Sequence, residues 1–141
     1  MGASGWDYVT PYEPDLRTAL IRLIGRVFES GEYYWAGEGE PPTHFGDLFK
    51  DEVVQEEGTH SILDCNNIIG PDTPDGFGTL RLLRAEESQR YFGSATPTRE
   101  QWEKGYANGS LVIGERWCGW FVVLYRDGEP SEIAVWGISG D

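Results

Sequence analysis

The spacing of apolar residues in the first quarter of the chain predicts an amphipathic helix. Asp15 is suited to cap its first turn, and Gly31 is suited to end its last turn. Because the apolar residues recur at intervals of three and four, they would share one face of the helix. We therefore predict a long N-terminal helix over residues 15–30, with that face packed on a sheet. The apolar residues are Leu16, Ala19, Leu20, Leu23, Ile24, Val27 and Phe28.

The strongest strand pattern lies near the C terminus. Residues 117–125 are almost wholly apolar, which indicates a strand that is covered on both faces. Residues 126–130 have the composition of a turn, and residues 132–138 can return as the partner strand. These patterns predict a β-hairpin over residues 117–138.

Shorter patterns fill the rest of the chain. Extended segments are predicted at 1–14, at 32–36, within 59–69 (including Ile62 and Leu63) and at 80–83. Short helices are predicted at 45–50 (capped by Thr43), at 85–92, and from Thr96-Pro97 to about Tyr106 with a stop at Asn108-Gly109. Residues 51–58 fit a helix or a strand. Together the patterns predict one α+β domain over residues 1–141, with a mainly antiparallel sheet.

Composition narrows the class of protein. Aromatic residues make up 13% of the chain, more than disordered chains carry, so we expect the whole chain to fold. No apolar run approaches the roughly 20 residues that span a bilayer, and the first residues do not resemble a secretory signal. We expect a cytoplasmic protein with no membrane partner. Cys65 and Cys118 are predicted to be buried structural thiols, and no spacing of ligands suggests a metal or cofactor.

Negative charge is concentrated in one stretch. The chain has a net charge of −13, and residues 27–78 hold twelve acidic residues against one base, Lys50. Such a field disfavours binding to nucleic acid, which needs clustered Lys and Arg. It would instead speed the encounter with a basic protein, although the same acidity could serve solubility alone.

Two residues are candidates for acid–base chemistry. His60 follows two acids, Glu56 and Glu57, and Asp64 would share its strand face if the strand is regular. A carboxylate beside an imidazole orients it, as a general base or a pH sensor requires. The alternative is a structural role, in which His60 bonds a backbone carbonyl or a surface acid.

Four segments of the chain resemble one known set of proteins. They are 5–12 (GWDYVTPY), 31–35 (GEYYW), 57–64 (EGTHSILD) and 136–141 (WGISGD). Taken together they are similar to a family of short uncharacterised actinobacterial proteins, over nearly the whole chain. The resemblance implies a free-standing unit in a streptomycete-like cytoplasm. It implies no activity and assigns no role to any residue.

Two hypotheses about function follow from these patterns. We favour a non-enzymatic binding protein of the immunity or antitoxin type, in which Glu52, Glu56 and Glu57 pair with Arg or Lys of a basic partner and Trp35 anchors the centre. The alternative is a small enzyme or small-ligand binder that uses His60 with nearby carboxylates in an aromatic-lined pocket. The oligomeric state stays open.

Overall fold

A mixed sheet with helices on both faces forms the fold. The computed structural model describes residues 5–107, 111 and 113–140, in which five strands lie in the order β1-β5-β4-β3-β2. Two 3-10 helices, Phe45–Lys50 and Ile62–Asp64, join the regular elements. The regular elements are β1 (Gly5–Pro11), α1 (Leu16–Ser30), α2 (Glu52–Glu57), β2 (Asn67–Ile69), β3 (Thr79–Leu82), α3 (Ala85–Phe92), α4 (Arg99–Ala107), β4 (Cys118–Arg126) and β5 (Glu129–Ile138).

The two halves of the sheet differ in strand direction. The long strands β1, β5 and β4 pair antiparallel, whereas β4, β3 and β2 pair in parallel. The α+β class is confirmed, and the sheet is antiparallel only in its long-stranded half. The chain reaches β4 from β3 through α3 and α4, the kind of crossover that a parallel pair needs.

Helix α1 begins and ends where its sequence predicts. The Asp15 side chain accepts a hydrogen bond from the Thr18 backbone N at 3.4 Å, and Gly31 follows the last turn. The helix has 15 residues, an ordinary length for a globular protein, so the prediction of a long helix is not confirmed. Its buried side chains join one core with Leu80, Phe121 and Val135 of the sheet.

The C-terminal hairpin is confirmed, with strands β4 and β5 joined by a turn at Asp127-Gly128. Alternate β4 residues enter two separate cores, Phe121 with helix α1 and Val122 with helices α3 and α4. Both faces of β4 are therefore covered, as its apolar run predicts.

One predicted strand is wrong, and another is displaced along the chain. Residues 32–36 form no strand: Tyr34 donates its backbone N–H to Thr59 O at 2.8 Å, but no neighbouring strand continues a ladder there. Ile62 and Leu63 lie in a 3-10 helix, because the Ser61 side chain accepts the Leu63 N–H at 3.2 Å and turns the chain. Only Asn67–Ile69 of that segment is a strand.

The remaining boundaries shift by a few residues. Residues 51–58, which fit either state, form α2. Helix α4 is capped by Thr98 rather than Thr96, because Thr98 and Gln101 exchange side chain-to-backbone hydrogen bonds at 2.9 and 3.2 Å. The 3-10 helix at Phe45 follows His44 and has no side-chain cap from Thr43. The predicted turn at Asn108-Gly109 lies outside the described residues.

Candidate functional site

The starts of the three parallel strands surround a cavity. Strands β2, β3 and β4 begin at the same edge of the sheet, and the residues at these starts face a space of about 570 Å³. Residues from the first 3-10 helix, from α2 and from the second 3-10 helix close its other sides. We call this space the Asp64 cavity; its lining residues are Phe49, Gln55, Asp64, Asn66, Asn67, Phe77, Gly78 and Trp117.

Three aromatic rings form one side of the Asp64 cavity. The Phe77 and Trp117 ring centroids are 4.9 Å apart, and Phe49 meets Trp117 edge-on at 6.4 Å. Phe77 is 76% exposed, so most of its ring faces outward beside Trp117. The cavity therefore presents aromatic surface that the protein core does not use.

The backbone holds Trp117 in an uncommon conformation. Its φ is 65°, a left-handed value that costs a bulky residue roughly 1–3 kcal/mol. Two hydrogen bonds fix it there: Trp117 donates its N–H to Ile138 O at 3.0 Å, and its carbonyl accepts the Gly78 N–H at 2.7 Å. The indole lies so close to Gly140 that any side chain there would overlap it. Strain of this kind is typical of functional sites.

Asp64 is a buried carboxylate with one oxygen in use. Its Oδ1 accepts hydrogen bonds from Thr59 N at 2.7 Å and from Thr59 Oγ1 at 2.8 Å. Its Oδ2 is buried and has no hydrogen-bond partner among the described residues, although Asp64 is only 3% exposed. Burial raises the pKa of the Asp64 carboxyl, and the Thr59 hydrogen bonds, the charge of His60 and the nearby His60 backbone N–H offset only part of that rise.

Gly58 allows the Asp64 carboxylate to reach this position. Its φ of 74° and ψ of −173° belong to a region that only glycine adopts readily. A Cβ on Gly58 would lie 2.6 Å from Asp64 Oδ2 and 3.0 Å from the Trp117 ring. The unpartnered oxygen therefore lies between the Gly58 backbone and the edge of Trp117, at the base of the Asp64 cavity.

His60 belongs to a neighbouring cluster. Its ring stacks on Tyr34 with centroids 4.6 Å apart, and Tyr34 Oη donates to Glu57 Oε2 at 3.2 Å. That hydrogen bond raises the pKa of the Tyr34 hydroxyl. Among the described residues the Asp64 cavity is lined by Asp64 and not by His60. The prediction that the two share a strand face is wrong, because the chain between them turns into a 3-10 helix.

The residues predicted to bind a partner lie on two segments. Glu52 and Glu56 are exposed on α2, one turn apart, and Glu57 is half-buried against Tyr34. Trp35 is half-buried against the α1 core, and its Nε1 donates to Gly39 O at 3.1 Å. The structure thus groups the three glutamates on one short helix and uses the Trp35 indole N–H within the chain.

A buried ion-pair network supports the loop that carries Phe77. Arg81 pairs with Asp75 at 2.6 Å and forks onto both Glu87 carboxylate oxygens at 2.7 and 3.0 Å. Asp75 also accepts the Trp120 indole N–H at 3.2 Å. Burial alone would raise the pKa of Glu87, but the hydrogen bonds from Arg81 and from the Arg84 backbone, together with the charges of both arginines, lower that pKa. Asp75 thereby ties the loop after β2 to the sheet.

Several acids of residues 27–78 do not add free negative charge to the surface. Asp64 is buried, Asp75 pairs with Arg81, and Asp47 pairs with Lys50 at 2.6 Å. The prediction for the cysteines is confirmed: Cys65 and Cys118 are buried free thiols. Burial raises the pKa of both thiols, so neither favours the reactive thiolate.

Neither a cluster of metal ligands nor a membrane-spanning helix is found in the described part of the chain. Residues 5–107, 111 and 113–140 hold no group of three or more His, Cys, Asp or Glu side chains that could bind a metal ion. Among the helices in these ranges, none combines the length and the apolar character that crossing a membrane requires.

Comparison with known proteins returned no match to any protein family, curated protein or solved structure. The resemblance to short actinobacterial proteins therefore stays a prediction. The contacts within the chain are what distinguish the two functional hypotheses.

Proposed function

We propose that this protein binds a small organic ligand in the Asp64 cavity. The supporting observation is a buried carboxylate that lines an aromatic cavity and leaves one oxygen, Oδ2, without a described partner. Burying a polar atom without a hydrogen bond costs roughly 1–3 kcal/mol, and more when its group is charged. A role in ligand binding explains why a residue that lowers the stability of the fold in this way is present.

The size and chemistry of the Asp64 cavity fit this class of function. Its volume of about 570 Å³ lies within the range of roughly 300–1,000 Å³ that is common for small-molecule sites. Such sites combine apolar and aromatic surface with a few placed polar groups. Here Phe77 and Trp117 supply the aromatic surface, and Asp64, Gln55 and Asn66 supply the polar groups. His60 follows Thr59 in the chain, and Thr59 holds Asp64 by two hydrogen bonds. His60 therefore supports the position of Asp64 and is assigned no chemical step.

A ligand screen with matched variants tests the proposal. A library of small aromatic amines, alcohols and acids is screened by ligand-observed NMR against the wild type and the Phe77→Ala and Asp64→Asn variants. Hits should weaken in both variants. The control is Ile21→Ala, since Ile21 is also an exposed apolar side chain (50%) but lies on α1 beside a different cavity. Hits that respond to Ile21→Ala and not to Phe77→Ala would contradict the proposal.

A second proposal, the acidic protein-binding function, is supported by the exposed face of α2. Glu52 and Glu56 form no ion pair with any other described residue, so both are available to a basic partner. Exchanging Glu56 and Glu57 for Lys should slow association with such a partner, whereas Glu100→Lys on α4 should not. An equal association rate in all variants would remove α2 as the interface.

A further inference from the structure

The lining of the Asp64 cavity carries charge of one sign. Among the described residues that line the cavity, Asp64 is the only one with an ionisable side chain. Two bases adjoin lining residues in the sequence, Lys50 beside Phe49 and Arg116 beside Trp117; Lys50 is paired with Asp47 at 2.6 Å, and Arg116 is also engaged in an interaction. Most of the lining belongs to residues 27–78, the stretch that holds twelve acids against one base. The local field therefore favours a cation over an anion.

Two of the three side-chain amides in the described lining, those of Gln55 and Asn66, are oriented as acceptors. Gln55 donates its side-chain Nε2 to Phe49 O at 2.7 Å, and Asn66 donates its Nδ2 to Leu63 O at 3.1 Å. With both NH₂ groups bound to backbone carbonyls, the amide oxygens receive no hydrogen bond from any described residue. Together with Asp64 Oδ2, they give the cavity three oxygens that can each accept an N–H.

The aromatic side of the cavity also suits a cation. The face of an indole attracts a cation that lies within about 6 Å of the ring, and Trp is the best of the aromatic residues for this contact. Trp117, with Phe77 at 4.9 Å and Phe49 at 6.4 Å, borders the same space as the Asp64 carboxylate. One ligand can therefore place its charge on Asp64 and its apolar body on these rings.

We infer that the ligand of the Asp64 cavity is an organic cation that carries N–H donors, such as a primary ammonium, joined to an apolar or aromatic body. This inference rests on the proposed function and names its ligand class. The ammonium donates to Asp64 Oδ2 and to the amide oxygens of Gln55 or Asn66. Since the Trp117 edge and Gly58 cover Oδ2, the indole moves when the ammonium binds.

Four probes of similar size separate the ligand classes by calorimetry at pH 7. They are 2-phenylethylammonium, 2-phenylethanol, 3-phenylpropanoate and trimethyl(2-phenylethyl)ammonium. A hydrogen bond to a charged group contributes about 1.5–3 kcal/mol, so the primary ammonium should bind the wild type at least about tenfold more tightly than the alcohol. The carboxylate should bind most weakly. The quaternary ammonium should fall below the primary one, because it has no N–H to donate.

Three variants complete the test. In Asp64→Asn the ammonium should lose its advantage over the alcohol, while Phe77→Ala should weaken both. Binding of the ammonium should change tryptophan fluorescence, and Trp117→Phe should remove most of that change. An alcohol or carboxylate that binds as tightly as the ammonium, and weakens in Phe77→Ala, would overturn the inferred ligand class but leave the proposed site standing. Binding that no cavity variant changes, or no binding by any probe, would overturn the proposed site as well.

Discussion

Replacing Asp64 by Asn is expected to make the protein more stable at neutral pH. The amide oxygen of Asn can accept both hydrogen bonds that Thr59 now gives to Asp64 Oδ1, at 2.7 and 2.8 Å. The amide nitrogen replaces Oδ2 and carries no charge. Because burial raises the Asp64 pKa in spite of those hydrogen bonds, ionisation costs the folded state more than it costs the unfolded chain.

The dependence on pH follows from that direction. A carboxyl with a raised pKa in the folded state binds more protons there than in the unfolded chain, so stability falls as pH rises from the ordinary pKa through the raised one. The cost grows as pH rises through that range, and below the ordinary pKa it is absent. Because Asn keeps a polar group at this position and removes only its charge, Asp64→Asn should gain on the order of 1 kcal/mol of unfolding free energy at pH 7. At pH 3 the gain should disappear.

Urea unfolding at both pH values measures this effect. Asp64→Ala removes the acceptor of two buried donors, so it should be less stable than the wild type at both values. Asp47→Asn, which changes a carboxylate paired with Lys50 at the surface, should leave stability nearly unchanged. A loss of 2 kcal/mol or more (about the cost of a broken buried network) in Asp64→Asn at both pH values would refute the reasoning, because Asp64 would then be a structural residue.

Three further predictions concern the surroundings of the Asp64 cavity. Gly58→Ala should lose at least about 2 kcal/mol of unfolding free energy through backbone strain and overlap. Gly25→Ala in α1, where the new Cβ has no atom within 4 Å, should instead gain about 0.5–1 kcal/mol. Equal urea midpoints for the two variants would contradict this prediction. Arg81→Met removes the main partner of the buried Glu87, which keeps only the Arg84 backbone N–H at 2.9 Å and the Arg84 side chain at 3.5 Å, and should cost about 3–5 kcal/mol at pH 7. The lowered pKa of Glu87 gives the wild type stability that is present above the ordinary Glu pKa and is lost as pH falls through the lowered one, so acid titration should show that loss in the wild type and not in the variant. Phe77→Ala should change thermal stability by less than about 0.5 kcal/mol, since that ring is 76% exposed; a larger loss would mean that Phe77 supports the fold.

The sequence predicts the elements whose pattern is local and regular. Helix α1 and the hairpin are each specified by apolar residues within one continuous stretch, and their turn residues stand at the ends. Segment 59–69 shows the limit of that reasoning. Ile62 and Leu63 have strand propensity, but the Ser61 side chain and the Thr59–Asp64 hydrogen bonds form a tight turn around them. Side-chain hydrogen bonds of this kind outweigh propensity without leaving a periodic signal.

The sequence predicts an aromatic-lined pocket in which His60 acts with nearby carboxylates, whereas the described lining of the Asp64 cavity includes Asp64 and not His60. Asp64 is a predicted candidate residue, but Phe49 and Trp117 carry no signal in the sequence. These rings come from distant parts of the chain and meet only because β2, β3 and β4 pair in parallel. The one local signal is Phe77 itself, a large apolar residue within a loop of Gly, Asp and Pro. Such a residue has no periodic face to bury and is a candidate for binding.

Amide NMR of the labelled protein, titrated with a mixture of small aromatic amines, alcohols and acids, tests the central claim most directly. The amide signals of four lining residues should shift together in the wild type, and these shifts should be lost in Asp64→Asn. The four residues are Asn66, Asn67, Gly78 and Trp117. Shifts confined to α2 or to the cavity beside Ile21 would contradict the proposed site. Shifts at these four residues that persist unchanged in Asp64→Asn would contradict the role of Asp64 in binding.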